Sequence, residues 1–371
     1  MKKFTLILAT VALLAAGCSK TEVVGPQNRK GINFAAYTAK TTKAAQEDVT
    51  RTNLTKFEVT AFGNKAFYFK NIIFEYSNDR NVWESATKYF WPAFPLTFYA
   101  YNTPYGYHTD AQKTGFGINI TTEKQELKVY PAGDLANQED LVAAYAEDKR
   151  ASNAVNTNHS LSLTFNHYLT QVIVKAKNAR FKTYKVVVES VKIANMAGEG
   201  TYTFSGNTMT ATAGTVNTLA SADYTATFDP KELTQTAQEV MTNAGTGKWY
   251  LIPQTVTSWN PGTDYPNTNP SHGTYLALKV KITANNDALN IYPADGTSGW
   301  MAVPIPSGLK FEQGKKYTVN INFFANNGAG YVDPEVPVSM MVNPQHKITE
   351  RRLSVAKSSL MLLSIHGEIM I

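Results

Sequence analysis

A single cysteine, Cys18, occurs in 371 residues. That excludes a disulfide within the chain, a thiolate metal cluster and a cysteine nucleophile in the body. Charge is also scarce: Asp, Glu, Lys and Arg make up 17%, against roughly 25% in an average soluble domain. No apolar run reaches the ~20 residues that span a bilayer. There is no Gly-x-Ser-x-Gly elbow and no His-Glu-x-x-His pair. Gly245-Thr246-Gly247-Lys248 looks like part of a phosphate loop, but Thr242 stands where the first glycine is required and Trp249 replaces the hydroxyl that would meet Mg²⁺. Gly328-Ala329-Gly330 lacks the third glycine of a dinucleotide fingerprint. His159 and His167 lack a third metal ligand at usable spacing. Glu139, Asp140, Glu147 and Asp148 read more simply as a solvated face than as a cation site. No catalytic residue, metal or cofactor is expected.

The formal charge of +6 invites a nucleic-acid reading, which the distribution removes. Lys2 and Lys3 belong to a leader, and the stretch from Val338 onward carries a net +2, leaving only +2 on the body. No basic stripe runs along it, so no nucleic-acid partner is expected. Residues 1–17 combine two lysines with an apolar run, as a secretory signal does. The run ends in Leu14-Ala15-Ala16-Gly17-Cys18, which resembles the bacterial lipobox, so Cys18 is the expected lipidation site. Acyl chains on it, at about 0.8 kcal/mol per buried CH₂, would anchor the chain to a membrane.

What the sequence has in quantity is aromatic and strand-forming residues, with 20 Tyr and 18 Phe. Runs at 32–38, 56–62, 96–101, 161–165, 171–177, 184–193, 249–252, 275–282 and 317–323 alternate apolar with polar. In the 275–282 run, Leu276, Leu278, Val280 and Ile282 fall on one face. Gly, Pro, Asn and Asp clusters separate the runs. Only 135–149 reads as a helix candidate, through Leu141, Val142 and Tyr145. The expected architecture is all-β, with two antiparallel β-sandwich domains. Their boundaries are a tether at 18–30, an N-terminal domain at 31–156, a C-terminal domain at 157–337 and a tail at 338–371. Alternation in the tail is poor around Leu360-Met361-Leu362-Leu363. The densest aromatic stretch includes Tyr99, Tyr101, Tyr105 and Tyr107, whose exposed rings could stack on a glycan. Core packing is the competing account for the same residues.

Several segments, in order, resemble the fimbrillin family, the lipoprotein precursors of type V pili in the Bacteroidales. They include Ile32-Asn33-Phe34, Thr50-Arg51-Thr52, Phe57-Glu58-Val59-Thr60-Ala61-Phe62, Tyr89-Phe90-Trp91-Pro92 and Asp140-Leu141-Val142. Leu163-Thr164-Phe165-Asn166-His167, Ile252-Pro253-Gln254, Gly314-Lys315-Lys316-Tyr317 and Gly328-Ala329-Gly330-Tyr331-Val332-Asp333-Pro334 continue the set. The resemblance implies transthyretin-like sandwiches, lipidation, display on the outer membrane and polymerisation into a fimbria with other subunits. It also implies cleavage by an arginine-specific protease after the first strand, between Arg51 and Thr52, with Arg29 the weaker candidate. The strand carrying Ile32, Phe34 and Ala36 would then leave, and a neighbour's strand would refill the groove by β-augmentation. The tail departs from the usual stalk pattern, so stalk, tip, accessory and anchor roles stay open. The expected partners are fimbrial subunits, the outer membrane through the lipid, and a host or microbial surface glycan or protein. The alternative reading is a glycan-binding surface lipoprotein.

Overall fold

The computed structural model describes residues 31–38, 53–102, 115–131, 133–148, 160–205, 208–213, 221–242, 244–245, 247–260, 273–286, 289–324, 331–332 and 361–369. Its first strands are β1 Phe34–Thr38, β2 Lys56–Gly63, β3 Ala66–Ser77, β4 Val82–Glu84 and β5 Leu96–Tyr101. Then come β6 Gly115–Ile120, β7 Gln125–Tyr130, β8 Val142–Asp148 and β9 Leu161–His167. Seven of them close into a barrel in the order β1-β4-β3-β2-β5-β8-β9. β1 supplies both closing contacts, antiparallel to β4 and parallel to β9. Without it the remaining strands would form an open layer with two free edges. The interior is apolar and rich in aromatic rings, with Phe34, Phe57, Phe74, Phe98 and Phe165 all at 0% exposure.

The second half contains β10 Thr170–Asn178, β11 Tyr184–Ala197, β12 Gly200–Ser205, β13 Thr208–Ala213, β14 Ser221–Glu232, β15 Gln238–Glu239 and β16 Trp249–Leu251. It continues with β17 Gln254–Thr255, β18 Tyr275–Ala284, β19 Asn290–Tyr292, β20 Gly299–Pro304 and β21 Lys310–Phe311. The last three are β22 Lys315–Phe323, β23 Tyr331–Val332 and β24 Met361–Ile369. One sheet runs β15-β10-β22-β24, and a second runs β14-β11-β18-β20-β23. Val172, Val174, Val319 and Ile321 of the first meet Val188, Ile193, Leu278 and Val280 of the second in one core. A smaller sheet, β13-β12-β7-β6, covers part of the barrel's outer face and draws strands from both halves.

Each run read as alternating in the sequence is a strand here. The helix candidate at 135–149 is not a helix: a single 3₁₀ turn, Leu135–Asn137, precedes β8. Position in the barrel overrides local pattern, because β8 must pair with both β5 and β9, and a helix there would leave both ladders unsatisfied. The tail also takes strand form. β24 lies antiparallel along β22 over its full length, from Lys315↔Ile369 to Phe323↔Met361. Buried Val319 and Ile321 are in register with Ile365 and Leu363, while Thr318 and Asn320 are in register with His366 and Ser364. Leu362, opposite Asn322, is the residue that hides this alternation in the sequence.

The crossing from barrel to second half follows β9 and is tied by buried polar groups. Oδ2 of Asp140 lies 2.5 Å from Nδ1 of His167, with both side chains 2% exposed or less. Asn102 donates to the Asp140 carbonyl and accepts from the Val142 amide, each at 2.8 Å. The Tyr168 amide donates to the Leu141 carbonyl, and Tyr202 donates its hydroxyl proton to the Tyr168 carbonyl at 2.9 Å. Gly314 completes the crossing: its amide donates to Leu169, its φ is +66°, and an added Cβ would stand 3.1 Å from the His167 carbonyl oxygen. Only glycine meets both demands without strain. The pairing boundary thus falls between His167 and Thr170, with β9 in the barrel; residues 149–159 lie outside the described set.

Leaving one partner of a buried hydrogen bond unsatisfied costs about 1–3 kcal/mol, whereas replacing both by apolar groups of similar shape is often close to neutral. His167→Leu should therefore lower stability by about 1–3 kcal/mol, and Asp140→Leu/His167→Leu should recover most of that loss. Urea denaturation of the single and double variants measures both.

Candidate functional site

The sequence makes β1 an alternating strand, and the barrel buries one side of it completely. Ile32 is 3% exposed, Phe34 0% and Ala36 2%, while Tyr37 on the other side is 44% exposed. The Phe34 ring meets Phe74 at 4.7 Å, Phe98 at 5.4 Å and Phe57 at 6.0 Å, in each case edge to face. Those three rings come from β2, β3 and β5, so the pocket for Phe34 is built by strands other than its own neighbours. Such edge-to-face pairs add about 0.5–1.5 kcal/mol each beyond area burial.

Backbone pairing around β1 is lopsided. Against β9 it runs in parallel from Phe34↔Leu161 to Thr38↔Phe165, and against β4 only Phe34↔Trp83 is in register. Upstream, the Ile32 amide donates to the Tyr89 carbonyl at 2.6 Å, and Gly31 bridges Phe90. The Tyr89-Phe90 segment singled out in the sequence is therefore the entry clamp of the first strand. Downstream, residues 39–52 lie outside the described set, and Arg51 and Thr52 fall there. The described chain resumes at Asn53 and packs onto the barrel. Leu54 is buried, its carbonyl accepts from the Trp83 indole at 2.9 Å, and the Thr55 carbonyl accepts from the Tyr76 amide at 2.8 Å. Trp83 thus meets β1 by register at Phe34 and the chain before β2 by a hydrogen bond at Leu54. Nothing in the sequence signalled that role.

Chemically, the socket holds an extended apolar segment and offers no reactive group. His167, considered as a metal ligand, has its Nδ1 2.5 Å from Asp140, and His159 lies outside the described residues. Among the described residues no group of three His, Cys, Asp or Glu side chains could hold a metal ion. Cys18 also lies outside the described residues.

The aromatic stretch divides. Tyr101 is fully buried and donates to Oε1 of Glu58 at 2.7 Å, while desolvation holds the Glu58 carboxyl above its usual range. It cannot touch a glycan as the sequence reading allowed, because the small sheet packs over it through Leu127, Val129 and Tyr202. Tyr99 is half-buried among Phe204 at 5.1 Å, Tyr145 at 5.4 Å and Phe62 at 5.7 Å, and burial pushes its hydroxyl up to about 12. Tyr105 and Tyr107 fall outside the described residues.

Comparison with known proteins follows the same lines. A fimbrial protein from Bacteroides vulgatus superposes with a TM-score of 0.57 at 13% identity, covering 91% of this chain and 99% of its own. That likeness establishes a shared fold. A Bacteroides uniformis structure described as a candidate cell adhesion protein gives 0.46 at 13% identity, over 93% and 100% of the two chains. The fimbrial anchor protein Mfa2 of Porphyromonas gingivalis gives 0.32 at 11%, over 92% and 99%. Neither of these two adds to the fold assignment. No curated protein matches the sequence. A family profile described as fimbrillin-like matches residues 21–336, which contain the barrel, the crossing and nearly all of the second half. The chain belongs to the fimbrillin-like family.

Proposed function

We propose that this chain is a structural or adhesive subunit of a cell-surface fimbria, made as a lipoprotein precursor and assembled by strand exchange. The observation that carries this reading is β1, which closes the barrel yet is joined to the body only through the polar stretch containing Arg51. A cut between Arg51 and Thr52 would sever β1 from a body that is anchored again at Leu54. Its departure would withdraw two large apolar side chains, Ile32 and Phe34, worth roughly 3–6 kcal/mol of burial. It would also expose the β4 and β9 edges, which a foreign strand can satisfy by β-augmentation. β24 has the spacing to serve a neighbour: Met361, Leu363 and Ile365 repeat the i, i+2, i+4 pattern of Ile32, Phe34 and Ala36. Family membership and the fold shared with a fimbrial protein support the same conclusion.

In this reading Cys18 carries the lipid that holds the precursor at the outer membrane, and the partners are other fimbrial subunits. The two halves are transthyretin-like sandwiches, the first closed along one edge by β1. The chain works by binding and assembly, with no enzymatic step. The rival reading is a glycan-binding surface lipoprotein, from whose four tyrosines the burial of Tyr101 removes one.

Three measurements test this. Mass spectrometry of the protein from cells should find a terminus at Thr52, and Arg51→Ala should retain the first strand and abolish laddered polymers; an isolated protein that still begins at Cys18 refutes the cleavage. Cys18→Ala should move the precursor out of the membrane fraction, and unchanged fractionation would refute the anchor. Phe34→Ala should destabilise the barrel by about 3–5 kcal/mol in urea denaturation, as expected for emptying a fully buried aromatic site.

A further inference from the structure

The outer face of the β14-β11-β18-β20 sheet carries a feature that strand exchange leaves unused. β11, in the middle of that sheet, slips register between Val188 and Ser190 against both of its neighbours, β14 and β18. The bulge falls at Glu189 and leaves it out of both ladders. Bulges of this kind re-aim a side chain and are concentrated beside functional sites. Beside Glu189, Thr227, Ser190, Lys279 and Trp300 are successive ladder partners in one row across four strands.

A cleft of about 330 Å³ opens over this row, lined by Glu189, Thr225, Thr227, Lys279 and Trp300 among others. Its volume is at the small end of the ~300–1,000 Å³ typical of ligand pockets. Lys279 donates to Oε1 of Glu189 at 2.7 Å, and Ser298 donates to Oε2 at 3.0 Å. These contacts hold the Glu189 carboxyl below its usual range despite some desolvation. An ionised carboxylate has about four acceptor positions, so two more hydrogen bonds can be accepted there. Trp300 is half-buried, and its ring is braced by Lys192, whose Nζ stands 5.5 Å from it and 5.6 Å from the Tyr275 ring. Asp223 lies 3.9 Å from the same Nζ.

The cleft therefore combines a fixed indole, threonine hydroxyls and a carboxylate–ammonium pair whose charges cancel. An indole takes the apolar C–H face of a ring, and the Glu189–Lys279 pair takes neighbouring hydroxyls, one accepting and one donating. We propose that this cleft binds a neutral pyranose sugar, presented as a terminal residue of a surface glycan. The proposal uses no part of the β1 socket and stands or falls separately from strand exchange.

The test uses the full chain on a glycan array, followed by calorimetric titration with free methyl glycosides of glucose, galactose, mannose and N-acetylglucosamine. At least one sugar should bind. Losing a charged hydrogen-bond partner costs about 1.5–3 kcal/mol, so Glu189→Gln should weaken binding about ten-fold or more with the melting temperature unchanged. Trp300→Ala should weaken it similarly. Thr227→Val, on an exposed residue outside the core, should reduce affinity while leaving the fold intact. No binding to any array sugar or free glycoside overturns the proposal, and so does undiminished binding by Glu189→Gln.

Discussion

A closed β-barrel has no edges only while each of its strands is present, and here one strand provides the closure. β1 satisfies the backbone of β9 along its length, meets β4 at one position and fills the centre of an aromatic core with Phe34. Of the other barrel strands only β4 and β9 pair with β1, and each keeps its second neighbour, β3 and β8. β1 is therefore the element whose presence decides whether the rest is a sealed monomer or a sheet with open edges. Open edges promote association unless they are covered, and β1 covers the β4 and β9 edges here.

The rest of the molecule is built to survive such a change. The crossing between halves lies where the start of β8 meets the end of β9, and Asp140, His167, Asn102 and Gly314 lock the backbone there through buried contacts. Its polar groups make hydrogen bonds with one another and with main-chain atoms that exist only in this arrangement. Three of the segments that carry the family resemblance meet there: Asp140-Leu141-Val142, the Phe165-Asn166-His167 end of β9, and Gly314. Their spacing in the sequence gives no hint that they form one unit. In the fold they hold the second half to the barrel independently of β1.

Much of the strand content was legible because half-buried strands alternate, as Leu276 to Ile282 do. β3 was not, because Asn71 at φ +52° interrupts its pairing with β2 and only Phe69 and Phe74 among its side chains are buried. β8 was misread because Val142, Ala143 and Ala144 are all buried, one side facing the barrel core and the other lying under the small sheet. A continuous apolar run carries no period of two. In the candidate site, Ile32, Phe34 and Ala36 could be read as one apolar face from their spacing alone. The parallel partner β9 could not, since it lies far along the chain and pairing at that distance is set by topology. Trp83, Glu189 and Trp300 were silent for a related reason: each acquires its role from a neighbour on another strand or from a bulge.

The β1–β9 ladder is parallel, and that has a directional consequence. A substitute strand that keeps the β9 register must run the same way as β1, because reversing it would change the hydrogen-bond pattern along the whole edge. Every junction built through this groove would then have the same sense, donor end to acceptor end. Such a contact is heterologous, joining two different surfaces of identical molecules, and where the rotation does not close it generates an open filament. Polarity of the fibre would thus be written into the direction of one five-residue strand.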